Sequence, residues 1–154
     1  MLFSKRITPM KSASVSIGLG LMVFLTFSGV AVALDPTATV AVTPLLKTTT
    51  SWNGQSLAYP SGPAEITGLP VEIAPGGENG WNQHNVPSFA IMLEGTLEVT
   101  LKDGQVKRLQ AGDALAEVVN TPHKGGNVGA TPVKIVVFYA GTTEQALTRK
   151  EPPP

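Results

Sequence analysis

The chain has 154 residues, with 11 basic and 11 acidic side chains, two histidines and no cysteine. The lack of cysteine excludes disulfides, thiolate metal sites and a cysteine nucleophile. The balanced charge argues against nucleic acid as a partner, because nucleic-acid-binding domains carry an excess of Lys and Arg.

The N-terminal segment resembles an export signal. Three basic side chains precede an apolar run over residues 15–30, and Ala31-Val32-Ala33 has the small-x-small pattern of a cleavage site. We predict a signal peptide over 1–33 and a periplasmic or secreted location, with no membrane contact after cleavage. Its loss removes three basic residues, which leaves a net charge of −3. The alternative is an uncleaved anchor, because a spanning helix needs about 20 residues.

The first part of the remaining chain predicts an extended leader and then strands. Residues 34–44 have no amphipathic pattern, whereas 45–50 are β-prone and Asn53-Gly54 favours a hairpin turn. Residues 64–74 alternate as a half-buried strand does.

The rest of the chain predicts short strands separated by Gly and Pro turns, which is typical of an all-β sandwich or barrel. No segment has helical periodicity over more than two turns. The predicted domain covers 45–141, and 142–154 is predicted to be a flexible tail with at most one helical turn. The further predicted strands are 89–93, which is apolar on both faces, 96–101, 105–109, 114–119 and 133–140.

The two histidines lie in the two most patterned stretches, residues 76–95 and 112–127, and we predict that they meet. Asn82 and Ser88 have the same parity as His84, so all three are predicted to face one cavity if this segment is extended. Met92 continues that parity along the next strand.

These two stretches resemble the two signatures of the cupin superfamily. Gly76, Asn82, His84, Ser88 and Gly95 occupy the positions of glycine, histidine, histidine, glutamate and glycine in the first signature. In the second signature the fixed positions are Gly112, Val118, Asn120, His123 and Asn127. The resemblance implies a small single-domain bacterial cupin, whose fold is a β-barrel also described as a double-stranded β-helix or jelly roll.

The resemblance also implies a metal site, but this sequence departs from its ligand pattern. Cupins hold their metal with the two histidines and the glutamate of the first signature and the histidine of the second. Here Asn82 and Ser88 replace two of these ligands, so His84 and His123 remain, with the Asn82 carbonyl oxygen as a weaker ligand. The pattern does not distinguish Fe, Mn, Ni and Zn.

Glu117 is the candidate replacement ligand. Alternation along 114–119 points it either into the cavity or into solvent. Pointed inward, it would complete a set of two histidines and one carboxylate, or act as a catalytic base. Most Glu side chains are exposed, which favours the other orientation.

Trp81, Ser88, Met92, Asn127 and Tyr139 are the predicted pocket residues. Trp81 would form a wall or simply pack at a strand start. Asn127 would face the site or stabilise a turn. Tyr139 shares the parity of Ile135 and Val137, so its hydroxyl is predicted to point into the barrel.

Two classes of function follow. One is a cupin that binds a divalent metal or a small molecule, with dioxygenase, isomerase or hydrolase chemistry open to it. The other is a binding or structural cupin without metal, whose site has lost its ligands. Small cupins commonly dimerise through N-terminal strands, and residues 45–52 are apolar and β-prone enough to pair in a homodimer.

Overall fold

The computed structural model describes residues 39–154, which form two antiparallel sheets and contain no helix. The predicted signal peptide and the first part of the leader lie outside this range. Within it, no helix is long and apolar enough to cross a membrane. The sheet orders are β1-β8-β3-β6 and β5-β4-β7-β2-β9. The strands are β1 (Ala64–Ile73), β2 (Asn82–His84), β3 (Ser88–Glu94), β4 (Thr96–Leu101), β5 (Val106–Gln110), β6 (Ala114–Ala116), β7 (His123–Asn127), β8 (Val133–Thr142) and β9 (Thr148–Lys150). The prediction of an all-β jelly roll is confirmed.

The inner faces of the two sheets form the core. In the first sheet, β3 pairs with β8 so that Ala90 lies opposite Val137 and Met92 opposite Ile135. In the second sheet, Leu97 and Val99 alternate inward along β4, as period two requires. These side chains belong to one buried cluster that also contains Leu109, Leu115 and Val133.

Gly95 joins β3 to β4 in a conformation that only glycine adopts easily. Its φ is +82°, and a Cβ added there would lie 2.5 Å from the carbonyl oxygen of Pro132. Gly112 also has a positive φ, of +91°, in the turn before β6. Both are turn glycines, as their positions in the two signatures predict.

Several predicted elements need correction. Residues 45–50 form no strand, and Thr50 makes only an isolated bridge to Ser56 across the loop that contains Asn53-Gly54. Of the turn formers predicted after His123, Gly125, Gly126 and Asn127 lie in strand β7, which pairs with β4 along its whole length. The predicted tail contains strand β9, which pairs with β2.

The shortening of the strand predicted over 114–119 matters most for the site. Strand β6 ends at Ala116, and its central residue Leu115 faces the core. Glu117 follows directly, where its backbone N–H still donates to the Ser88 carbonyl at 2.9 Å. The carboxylate is therefore held at the end of a strand, next to the start of β3.

Candidate functional site

A cavity of about 100 Å³ lies between the two sheets. Most of its wall is aliphatic, but five side chains that are titratable or carry a hydroxyl group also line it. They come from different elements: His84 from β2, Ser88 from β3, His123 from β7, Tyr139 from β8, and Glu117 from the segment after β6. All five are less than 9% exposed.

The fold brings the two histidines together. Their ring centroids are 4.7 Å apart with an interplanar angle of 64°, and the Tyr139 ring centroid lies 5.1 Å from that of His84. The proximity follows from the pairing of β2 with β7, in which Asn82 lies opposite His123.

His123 has a defined tautomer. Its Nδ1 lies 2.8 Å from the Thr121 carbonyl oxygen, which can only accept a hydrogen bond. Nδ1 therefore carries the proton when the ring is neutral, and Nε2 has a free lone pair. Within residues 39–154 no side chain or backbone group hydrogen-bonds that Nε2 atom.

His84 is held by the C-terminal strand. Its Nδ1 lies 2.8 Å from the Thr148 hydroxyl oxygen, and Thr148 also hydrogen-bonds Tyr139. Burial lowers the pKa of His84 to about 3, with a further contribution from His123, so the ring is neutral at physiological pH. Burial and the charge of Glu117 raise the pKa of Tyr139, although the Thr148 hydrogen bond opposes that shift, so its hydroxyl keeps its proton.

Glu117 points inward, which is one of the two orientations that its sequence position allows. Its Oε1 accepts a hydrogen bond of 2.6 Å from the Trp52 indole Nε1 and one of 2.9 Å from the Val118 backbone N–H. The residue is only 8% exposed and lines the cavity. Its other oxygen, Oε2, receives no hydrogen bond from the described residues.

Ser88 has a hydroxyl without a partner. The residue is 1% exposed, and its Oγ makes no hydrogen bond within the described chain. Buried polar groups nearly always have a hydrogen-bond partner, and an orphan inside a cavity points to a bound molecule or ordered water.

The remaining predicted site residues do not line the cavity. The Asn82 Nδ2 atom donates to the carbonyl oxygens of Gly80 and His123, so its amide is directed to the backbone around β2. Met92 fills the core at 1% exposure. Neither side chain is part of the cavity lining, and the Asn82 Oδ1 atom, the predicted weaker ligand, makes no hydrogen bond within the described residues.

Trp81 and Asn127 also lie outside the cavity. The Trp81 ring packs between the amines of Lys102 and Lys124, each 5.8 Å from its centroid. Asn127 stabilises the loop before β8 by donating from Nδ2 to the Thr131 carbonyl at 2.8 Å and accepting at Oδ1 from Gly129. Of the alternatives left open for these two residues, packing and turn stabilisation are the ones found.

Sequence reasoning missed Trp52 and Thr148, which orient Glu117 and His84 respectively. Trp52 lies in a loop 65 residues before its partner, and Thr148 lies 64 residues after His84. No local pattern connects positions so far apart. The only signal for Trp52 was a large aromatic residue beside a turn.

The donor set does not fit a tightly bound divalent metal. Among residues 39–154, no group of three or more His, Cys, Asp or Glu side chains is arranged to hold an ion. His84 and His123 are good ligands, but Ser88 and Asn82 stand where the cupin pattern has glutamate and histidine. Only two of the four side chains that usually hold the metal in cupins are therefore present here.

Comparison with known proteins agrees with the fold. The crystal structure of the DMSP lyase DddQ from Ruegeria pomeroyi DSS-3 is similar with a TM-score of 0.50 and 22% identity, over 57% of this chain and 44% of that one. A Lactobacillus farciminis oxalate decarboxylase formate complex gives 0.49 and 20%, over 55% and 26%. The chain thus spans less than half the length of either enzyme. No curated protein sequence matches it.

The sequence itself matches a known domain model. Residues 70–139 match the cupin domain, a range that contains both signatures and every cavity-lining polar side chain named above. The described barrel therefore contains a small cupin domain.

Proposed function

We propose that this protein is an exported cupin that binds a small molecule inside its barrel without a resident metal. The observation that carries the proposal is the buried Ser88 hydroxyl, which lacks a partner in a cavity lined by five further polar side chains. Ligand sites in proteins are typically apolar cavities with a few convergent polar groups. The aliphatic wall and the buried polar groups fit that description.

The size of the cavity limits the ligand. A single water molecule needs about 10–15 Å³ of such volume, so a cavity of about 100 Å³ has room for a molecule of several non-hydrogen atoms. Val71 and Val137, on the paired strands β1 and β8, would contact its apolar part. The polar side chains would fix its orientation.

A compound screen tests this proposal. Small compounds are added to the purified protein, and the imidazole resonances of His84 and His123 are followed by NMR together with the melting temperature. We expect at least one compound to shift both histidines saturably and to raise the melting temperature. Ala90→Leu, which adds bulk to the cavity wall, should abolish the response, whereas Ala111→Leu in an exposed turn should retain it.

Two results would count against the proposal. One is a screen in which no compound moves either histidine. The other is an unchanged response in Ala90→Leu, which would place the binding site elsewhere.

The His84–His123 pair supports a second candidate, a metal-dependent enzyme of dioxygenase, isomerase or hydrolase type. Two imidazole rings with centroids 4.7 Å apart could supply two ligands to a divalent ion such as Fe, Mn, Ni or Zn, which would supply Lewis-acid or redox chemistry when bound. In that case Glu117 would serve as a ligand or a general base. The metal content of the purified protein separates this candidate from the first.

Export and self-association complete the proposal. N-terminal sequencing of protein from the producing cells should find Leu34 as the first residue, and an intact Met1 would contradict cleavage. We also propose a homodimer in which the exposed side chains of Leu45 and Leu46 become covered. A molecular mass equal to one chain in solution light scattering would refute the dimer.

A further inference from the structure

The cavity has an uneven charge. Glu117 is the one acidic side chain in the described lining, and no Lys or Arg belongs to it. The lining therefore offers one acidic side chain and no Lys or Arg to oppose it.

The Glu117 carboxylate also lacks an ionic partner. None of the salt bridges found within residues 39–154 includes it, and its two hydrogen bonds both go to Oε1. Buried charges in proteins are as a rule paired, because a carboxylate out of water is costly without a counter-charge. Trp52 and Val118 hold the carboxylate in place and leave Oε2 free for another group.

We propose that the ligand is a small organic cation of the ammonium class, with Glu117 as its counter-charge. This inference rests on the proposed function, because it names the chemistry of a ligand in the same cavity. An ammonium group supplies a positive charge, which no Lys or Arg of the lining provides, and N–H donors for the acceptors of the lining. A small anion would meet an unpaired carboxylate and no cation.

The hydrogen-bonding groups fit the same class. His123 Nε2 is an acceptor, because its Nδ1 proton is committed to the Thr121 carbonyl. With Glu117 Oε2 it gives two acceptors for N–H donors, and the Ser88 hydroxyl can accept a third. The aliphatic wall formed by residues such as Val71, Ile135 and Val137 would pack against methyl or methylene groups on the ligand.

The test compares three probes of similar size and different charge. Methylammonium, methanol and formate are titrated into the purified protein at constant ionic strength after treatment with a chelator, and ring resonances of His84, His123 and Tyr139 are followed by NMR. We expect methylammonium to shift all three rings saturably and to bind about tenfold or more tightly than methanol. Formate should produce no saturable shift.

Glu117→Gln should weaken methylammonium binding about tenfold or more and leave methanol binding nearly unchanged. Glu98→Gln is the matched control, because Glu98 is a surface carboxylate paired with Arg108; it should bind methylammonium as the wild type does. If Glu117→Gln does not fold, the order of the three probes on the wild type decides the question.

Three outcomes would overturn the inference. Tighter binding of formate, or equal binding of methanol and methylammonium, would show that Glu117 does not select a cation, while the proposal of a small-molecule site would stand. Failure of all three probes would also refute the ammonium class. The wider compound screen then judges the proposed function independently.

Discussion

The hydrogen bond from Trp52 to Glu117 gives the most direct test of how the site is built. Trp52→Phe keeps an aromatic ring against the core and removes the indole N–H, whose nitrogen lies 2.6 Å from Oε1. A hydrogen bond to a charged group contributes about 1.5–3 kcal/mol to the free energy of unfolding. The smaller ring adds a packing loss, so we expect a total cost of about 2–4 kcal/mol.

A double-mutant cycle separates the hydrogen bond from the packing loss. Glu117→Met removes the acceptor and keeps a side chain of similar length, so Trp52→Phe in that background should lose only the packing term. Urea denaturation of the four proteins should give a coupling energy of about 1.5–3 kcal/mol. A coupling energy near 0.5 kcal/mol, the size typical of exposed pairs, would refute a buried, Trp52-held carboxylate.

Three further predictions concern the histidine, the C-terminal strand and the turns. Because burial lowers the pKa of His84 from 6.5 to about 3, the unfolded chain binds a proton in that range that the native protein does not. The free energy of unfolding should therefore fall as the pH is lowered from about 6.5 towards 3, and above that range His84 should not affect it. A His84 ring that NMR shows to be charged at pH 5 would contradict this prediction. Thr148→Val should change the ¹⁵N chemical shifts of the His84 ring, because Nδ1 loses its hydrogen-bond partner, and Thr148→Ser should retain the wild-type shifts. Identical spectra for the wild type and both variants would show that Thr148 does not orient His84. Gly95→Ala should lower the free energy of unfolding by about 2 kcal/mol or more, because its Cβ would meet the Pro132 carbonyl. Gly104→Ala should lower it by only about 1 kcal/mol, because Gly104 has a φ of +89° but open space around it. Equal costs in urea denaturation would show that the close approach at Gly95 is unimportant.

The fold could be predicted from the sequence because turn residues and the alternation of apolar and polar residues are local signals. Gly95, Gly104 and Gly112 all adopt positive φ between strands, and Leu97, Val99 and Leu101 alternate inward as period two predicts. The spacing of the two signatures then specified one barrel among the all-β folds. These features depend on neighbours within a few residues.

The errors in the fold arise where pairing across the sheet overrides local preference. Strand β7 contains Gly125 and Gly126, which favour turns, but β4 on one side gives five paired positions. An added Cβ on Gly125 would lie 3.3 Å from the Leu97 side chain, so a small residue suits this tightly packed strand. In the same way β9 forms because β2 has a free edge, although nothing in residues 148–150 indicates a strand.

The candidate site was partly accessible. The two signatures place His84 and His123 on adjacent strands, and parity placed Ser88 and Tyr139 on the cavity side. Asn82 has the same parity as His84, but the amide finds backbone acceptors at Gly80 and His123 before it reaches the cavity. The alternation along a strand predicts the face on which a side chain lies, but it does not predict which hydrogen bonds a short polar side chain makes.

The contacts that orient the site residues could not be predicted from the sequence. Glu117 faces inward because the Trp52 indole supplies a donor, and His84 is oriented by Thr148 on the last strand. Trp52 comes from a segment predicted to form a strand and a hairpin turn, and Thr148 comes from the predicted tail. Their roles follow only from the three-dimensional packing of these segments against the barrel.

The central claim is that this cupin cavity is a small-molecule site without a resident metal. Its most direct test is the metal content, by mass spectrometry, of untagged protein incubated with Mn, Fe, Ni and Zn and then desalted. Because only His84 and His123 of the usual ligand set are in place, we predict far less than one metal ion per chain for every metal. A stoichiometry near one for any of the four would contradict the claim and favour the metal-dependent enzyme.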